Sequence, residues 1–210
     1  MILQKRMLSL GMVGVLSFLL SDVLGCILVN GYHPVQSYIS VLSADHTPYS
    51  GVMRTLILLY QICFLLFVIA LALEFFKGYS ILARISSVLL FVIASLSILA
   101  FGVFPMTAEY TIHPQNLVHL ILAIVIIALP PVALLLLFFG FRRHSLTFLS
   151  RLSGIAALLI LCFNGLHLVA MKNGWDILGL IQRLSVYTFH VYTFWLSWIF
   201  TKEFRVQHKK

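Results

Sequence analysis

The chain has 210 residues, 61% of them hydrophobic and only 10% charged, with a mean hydropathy of +1.06. A water-soluble domain is about half apolar and about a quarter charged, so a soluble fold is excluded. The formal net charge of +8 would suggest nucleic acid in a soluble protein. Here it is the basic flanking that membrane spans require, and no nucleic-acid partner is expected.

A spanning helix needs roughly 20 apolar residues, so this length holds about six. The first apolar run, Leu8–Asn30, follows Lys5 and Arg6. Val23-Leu24-Gly25-Cys26 faintly resembles a lipoprotein cleavage site. Bulky Leu24 and the charge of Asp22 argue instead for a retained first helix. Asp22 lies about 10 Å below the outer end of that helix, at roughly 1.5 Å per residue. The next stretch, Gly31–Gly51, is the longest polar interruption in the chain. Pro34 suits a first helical position, and Val35, Tyr38, Ile39 and Leu42 follow at three-to-four spacing. That pattern predicts a short helix lying in the outer interface or re-entering the bundle.

The second run, Val52–Phe76, starts beside Arg54, and the third, Ile85–Phe104, carries Ser86, Ser87, Ser95 and Ser97, the small residues that let helices pack closely. Glu109 and His113 lie in the loop before the fourth run, Asn116–Gly140. His119 sits one turn into that run, and Pro130-Pro131 near its middle predict a kink. In the fifth run, Leu152–Met171, Asn164 and His167 share one face. In the sixth, Leu180–Phe200, Arg183, Tyr187 and His190 form one stripe, and Trp195 and Trp198 are interfacial anchors. Cys26, Cys63 and Cys162 all fall in apolar runs and read as small buried hydrophobes.

Counting Lys and Arg gives the orientation. With the N-terminus inside, eleven fall on the cytoplasmic side and only Arg54, Lys172 and Arg183 on the outer side. Both termini are therefore expected in the cytoplasm, and the Gly31–Gly51 loop outside a plasma membrane.

A charge at membrane depth usually faces protein or a wet cavity. Asp22 should thus have a partner, with His190 or Arg54 the foremost candidates. The joint expectation is one outward polar pocket lined by Asp22, Arg54, Glu109, His119, Asn164, His167, Arg183, Tyr187 and His190. Arg54 and Arg183 would hold an anionic headgroup, and Asp22 with His190 would be the acid–base pair if chemistry occurs. Plainer readings stand beside this. His119 and His167 suit interfacial hydration, Arg54 and Arg183 suit snorkelling, and Asp22 suits structural pairing. The histidines and Asp22 are suitable zinc ligands, but no pair has HxxxH spacing, so no metal site is predicted and no cofactor is assigned.

The loop GYHPVQSYISVLS (31–43) with its Pro-containing turn, the Phe104-Pro105 step with a histidine entering the next helix, and Gly179-x-x-Gln182-Arg183 resemble the bacterial membrane family called domain of unknown function 998. The resemblance implies a six-helix membrane fold and no particular activity. One departure stands: the resemblance implies an acidic residue within two or three positions of the Phe-Pro step, but the run here is Met106-Thr107-Ala108-Glu109, so either Glu109 substitutes or that site is lost. The expectation is an all-α bundle of six transmembrane helices forming a single domain. It would bind or modify an outer-leaflet lipid or amphiphile; a proton-coupled permease and a non-enzymatic assembly partner are the alternatives.

Overall fold

The computed structural model describes residues 2–44, 47–107 and 113–207, all helical or irregular. Six long helices follow one another: α1 (Ile2–Leu28), α2 (Ser50–Gly78), α3 (Ile81–Ile98), α4 (Pro114–Arg142), α5 (Thr147–Lys172) and α6 (Leu178–Gln207). The helices overrun the apolar runs, chiefly at the ends bearing Lys and Arg, because charged residues flanking a span are good helix formers that need no burial.

Short connections force consecutive helices to run antiparallel. Each packs on the next in sequence, and α6 returns to pack on α1, so the six close into an up-and-down ring. One end of the ring carries residues 29–49 and is called here the capped end. The other carries the start of α1, the end of α6 and the connections after α2 and α4.

Local chemistry fixes the helix ends. Ser80 caps α3 by accepting from the Ala83 N–H, and Pro114 opens α4 with His113 as its cap. α5 ends in a Schellman turn: Gly174, at φ 64°, lets Trp175 N–H return to the Ala170 carbonyl at 3.0 Å. α4 contains Pro130 and Pro131 yet is assigned as one helix. Pro131 has no N–H for the Ile127 carbonyl one turn earlier. The Asn164 side chain of α5 donates to that carbonyl instead, at 3.1 Å. Replacing Asn164 by Leu should therefore cost about 1–3 kcal/mol, the penalty for an unpaired carbonyl. Thermal unfolding in detergent reads this directly, and an unchanged midpoint would refute the role.

Small residues set the closest helix contact. A Cβ on Gly11 of α1 would lie 2.8 Å from the Ser197 Cβ of α6. Ser197 Oγ donates to the Leu8 carbonyl at 2.6 Å, tying the two helices at the terminal end. Of the α3 serines, Ser86 donates to the Ala133 carbonyl of α4, whereas the half-buried Ser95 bonds within its own helix. Cys63 is buried, Cys26 half-buried and Cys162 exposed. Burial of all three cysteines thus fails at Cys162, which lies on the outward face of α5.

Five helices, α1 to α5, are long and apolar enough to cross a membrane. α6 is not among them, although its length suffices. Its polar residues point into the ring: Arg183, Ser185, His190, Thr193, Ser197 and Thr201 are all buried, while Leu184, Val191, Trp195 and Trp198 are exposed. The chain is a multi-pass membrane protein.

The helix expected from Pro34 is different in detail. Residues 34–37 form a turn, held by Gln36 and Ser37 N–H groups on the His33 carbonyl. A five-residue 3-10 helix, Ile39–Ser43, follows, and its Ile39 and Leu42 are buried while Val35 is exposed. The apolar spacing was real, but burial of Leu42 against α1 outweighs formation of a regular helical turn from Pro34.

Candidate functional site

Two layers of polar residues lie at the capped end, one above the other along α1 and α6. The upper layer is centred on Arg183, five residues past the start of α6 at Leu178. Its guanidinium meets Asp22 of α1 in a fork, Nε to Oδ2 at 3.0 Å and Nη2 to Oδ1 at 2.8 Å. Both side chains are buried, with only 7% and 3% of their surface exposed. Nη1 donates to the carbonyls of Pro34 (2.5 Å), Ser37 (2.9 Å) and Gly179 (3.2 Å), and Nη2 also reaches the Tyr32 hydroxyl. A guanidinium has five N–H groups, and every one here has an acceptor. Tyr187 donates to the remaining face of Asp22 Oδ2.

This cluster staples the polar loop to the bundle. Tyr32 passes the network on by donating to the Tyr38 carbonyl at 3.2 Å. Leu180 N–H meets the Val35 carbonyl at 2.9 Å, and Ile39 N–H meets Gln182 Oε1 at 2.9 Å. Arg54 Nε donates to the Ser43 carbonyl at 2.7 Å, fixing the end of the 3-10 helix to α2. Tyr38 lies against His167, hydroxyl to Nε2 at 3.4 Å. Burial, opposed by the Arg183 charge, pushes the Tyr32 phenol from its ordinary 10.0 up to about 12. The folded loop therefore keeps a proton that the unfolded chain releases first. Its contribution to stability is complete below pH 10 and falls away between 10 and about 12. Tyr32→Phe should flatten that alkaline loss, measured as unfolding midpoints on either side of pH 10; an identical slope in both proteins would contradict it.

Beneath the stapled loop is a partly open cavity of about 130 Å³. All six helices contribute to its wall, with Ile39 and Ser40 of the loop above. Its polar groups are the lower layer. His190 is 4% exposed and lies in an aromatic cage, stacked on Phe18 with ring centroids 4.1 Å apart and tilted on Tyr60 at 4.8 Å. His190 Nδ1 is 2.7 Å from the Val186 carbonyl. Gln61, 1% exposed, donates its Nε2 to the carbonyl and hydroxyl of Ser97 at 2.8 and 3.1 Å. His119 Nδ1 is 2.9 Å from the carbonyls of both Ala100 and Phe104. It thereby caps the π-helical turn, Leu99–Val103, that ends α3.

Among the described residues, two side-chain atoms of wall residues have no partner: His190 Nε2 and Gln61 Oε1 are buried and make no hydrogen bond. Buried polar groups are almost always satisfied, so two orphans on one cavity require an account.

Of the residues expected to share one chamber, the structure brings only His119 and His190 to the cavity wall. Asp22 pairs with Arg183, not with His190 or Arg54. Its carboxylate leaves α1 one turn nearer the capped end than Phe18, the α1 residue that stacks on His190. Arg183, Tyr187 and Arg54 position the loop above. Asn164 serves α4 and accepts from Ser185 at 2.7 Å, and His167 lies beside Tyr38. Glu109 lies outside the described residues. Gln61 is not among the expected site residues, although a lone amide in the middle of an apolar run is itself a signal of an intramembrane site. Ser97 was read only as a packing residue, and Phe18 and Tyr60 carried no signal apart from the core. Among the described residues, no three His, Cys, Asp or Glu side chains group as a metal site.

A family model described as "Protein of unknown function (DUF998)" matches residues 12–199. The chain belongs to that family. The DUF998 match takes in α2 to α5 whole, most of α1 and α6, both partners of the Asp22–Arg183 pair and the whole cavity wall. Neither the curated proteins nor the solved structures hold a significant match to the chain.

Proposed function

We propose that the protein is a plasma-membrane binding protein whose helix ring holds a small, largely apolar molecule, or one end of an outer-leaflet amphiphile, in the cavity beneath residues 29–49. A single observation supports this: two buried acceptors, His190 Nε2 and Gln61 Oε1, have no partner and belong to residues of one cavity wall. Each orphan costs about 1–3 kcal/mol in an empty protein, and a ligand removes that cost. The rest of the wall is mostly aromatic and aliphatic, with Ser40, Ser97, His119, Gln182 and Ser185 set among it, as small-molecule sites are. In this reading Asp22 and Arg183 hold the roof in place rather than a headgroup, because the donors of Arg183 are already engaged. α6 is the sixth span, its polar face turned inward. Positive-inside charge places the chain ends in the cytoplasm and the capped end outside.

The test is to fill the cavity. Ala123 lies on the wall, and Ala123→Phe adds a ring about the size of the space available. Native mass spectrometry of protein released from a mild detergent should show a bound small molecule in the unaltered protein and its loss in Ala123→Phe, with the unfolding midpoint retained. No adduct in the unaltered protein, or equal occupancy in both, would contradict the reading.

A further inference from the structure

The proposed binding function leaves open what chemistry the bound molecule carries, and the polar atoms of the wall narrow it. We infer that the cavity selects a neutral hydrogen-bond donor on an apolar body, a hydroxyl compound of phenol size, and rejects anions. The inference rests on the cavity being a ligand site, as proposed above.

Donor and acceptor roles follow from partners that can act in one sense only. The Ser97 carbonyl only accepts, so the Gln61 amide must point its NH₂ at it, at 2.8 Å. Gln61 Oε1 is thereby fixed as the free end. The Val186 carbonyl only accepts, so His190 Nδ1 carries the hydrogen, and Nε2 of the neutral ring is a lone pair. His119 follows the same rule. Its Nδ1–H is shared between two carbonyls, which leaves its Nε2 an acceptor as well. The Ser185 hydroxyl spends its hydrogen on Asn164 Oδ1.

Three ring and amide atoms of the wall residues are thus acceptors, beside two donor groups, the Tyr60 hydroxyl and the amide N–H of Gln182, whose Oε1 takes the Ile39 N–H. Among the described residues lining it there is no Lys or Arg, and the N–H groups of nearby Arg183 are engaged by Asp22, Tyr32 and three carbonyls. A carboxylate or phosphate entering would meet lone pairs and aromatic faces without a counter-charge, which a dry site penalises heavily. A hydroxyl satisfies an orphan at once. Size agrees, since a dry cavity of about 150 Å³ accepts benzene and this one is about 130 Å³.

The experiment uses the full-length protein in phosphatidylcholine nanodiscs, with empty nanodiscs subtracted, and titrates phenol, benzene and benzoate calorimetrically. Phenol should bind about ten-fold tighter than benzene, the gain from satisfying one buried acceptor, and benzoate should not bind. In His190→Phe, or in Gln61→Met if the first variant does not fold, the advantage of phenol should fall to about two-fold or less while benzene is held as before. Equal affinity for phenol and benzene overturns the donor inference and leaves the cavity reading intact. Tighter binding of benzoate also overturns it. Failure of all three probes overturns the cavity reading itself.

Discussion

Arg183→Met should destabilise the protein by about 3–5 kcal/mol, because it leaves the Asp22 carboxylate buried without its cation. Asp22 is 2% exposed, and Tyr187 remains as a hydroxyl donor to it, too little to replace a bidentate ion pair. Arg183→Lys should recover only part of the loss. An ammonium cannot present the planar fork that meets both oxygens of Asp22 and still donate to the Pro34, Ser37 and Gly179 carbonyls. The informative variant is the double one, Asp22→Leu with Arg183→Met. Replacing both members of a buried pair by apolar groups is often neutral. Here recovery should stop short, because the loop carbonyls still lose their donor, at about 1–3 kcal/mol. Unfolding midpoints of the unaltered protein, Asp22→Leu, Arg183→Met and the double variant give the coupling energy. If Arg183→Met alone is as stable as the unaltered protein, the pair is not what holds the loop.

Gly179→Val should release the same loop from the opposite side. A Cβ at this position would lie 2.7 Å from the Pro34 carbonyl oxygen and 2.9 Å from the Ser37 carbonyl carbon. Both are backbone atoms that cannot rotate away. Accommodation requires a shift of residues 34–37, which carry two of the carbonyls that Arg183 binds. Overpacking of this kind costs about 1–3 kcal/mol. The readout beyond stability is proteolysis within residues 31–44, which should become rapid in Gly179→Val while the helices remain resistant. Unaltered cleavage would show that the close approach at Gly179 is not restrictive.

The helices were legible because a membrane bundle writes them as long apolar runs. The α6 stripe of Arg183, Tyr187 and His190 was legible because polar groups at helical spacing must face protein. Their partners were not. Asp22 could equally meet any cation entering from the capped end, and sequence carries no register between α1 and α6. The separation of Arg183 and His190 into two layers follows from that register: Phe18, one turn from Asp22, fills the space beside His190 with a ring. The Asn164 role depended on knowing that α5 packs beside the proline step of α4. Gln61 stands in the sequence as a single amide among apolar residues, a signal independent of any partner. The loop helix was half legible: its buried residues were named, but burial of Leu42 set a tighter helix than the spacing implied.

The cavity is the claim on which function depends. An experimental density map of the protein purified in mild detergent, sharp enough to show side chains, tests it most directly. Non-protein density should fill the space between Phe18 and Gln61 and lie within hydrogen-bond distance of His190 Nε2. An empty cavity, or a side chain rotated in to pair His190 and Gln61, would contradict the account.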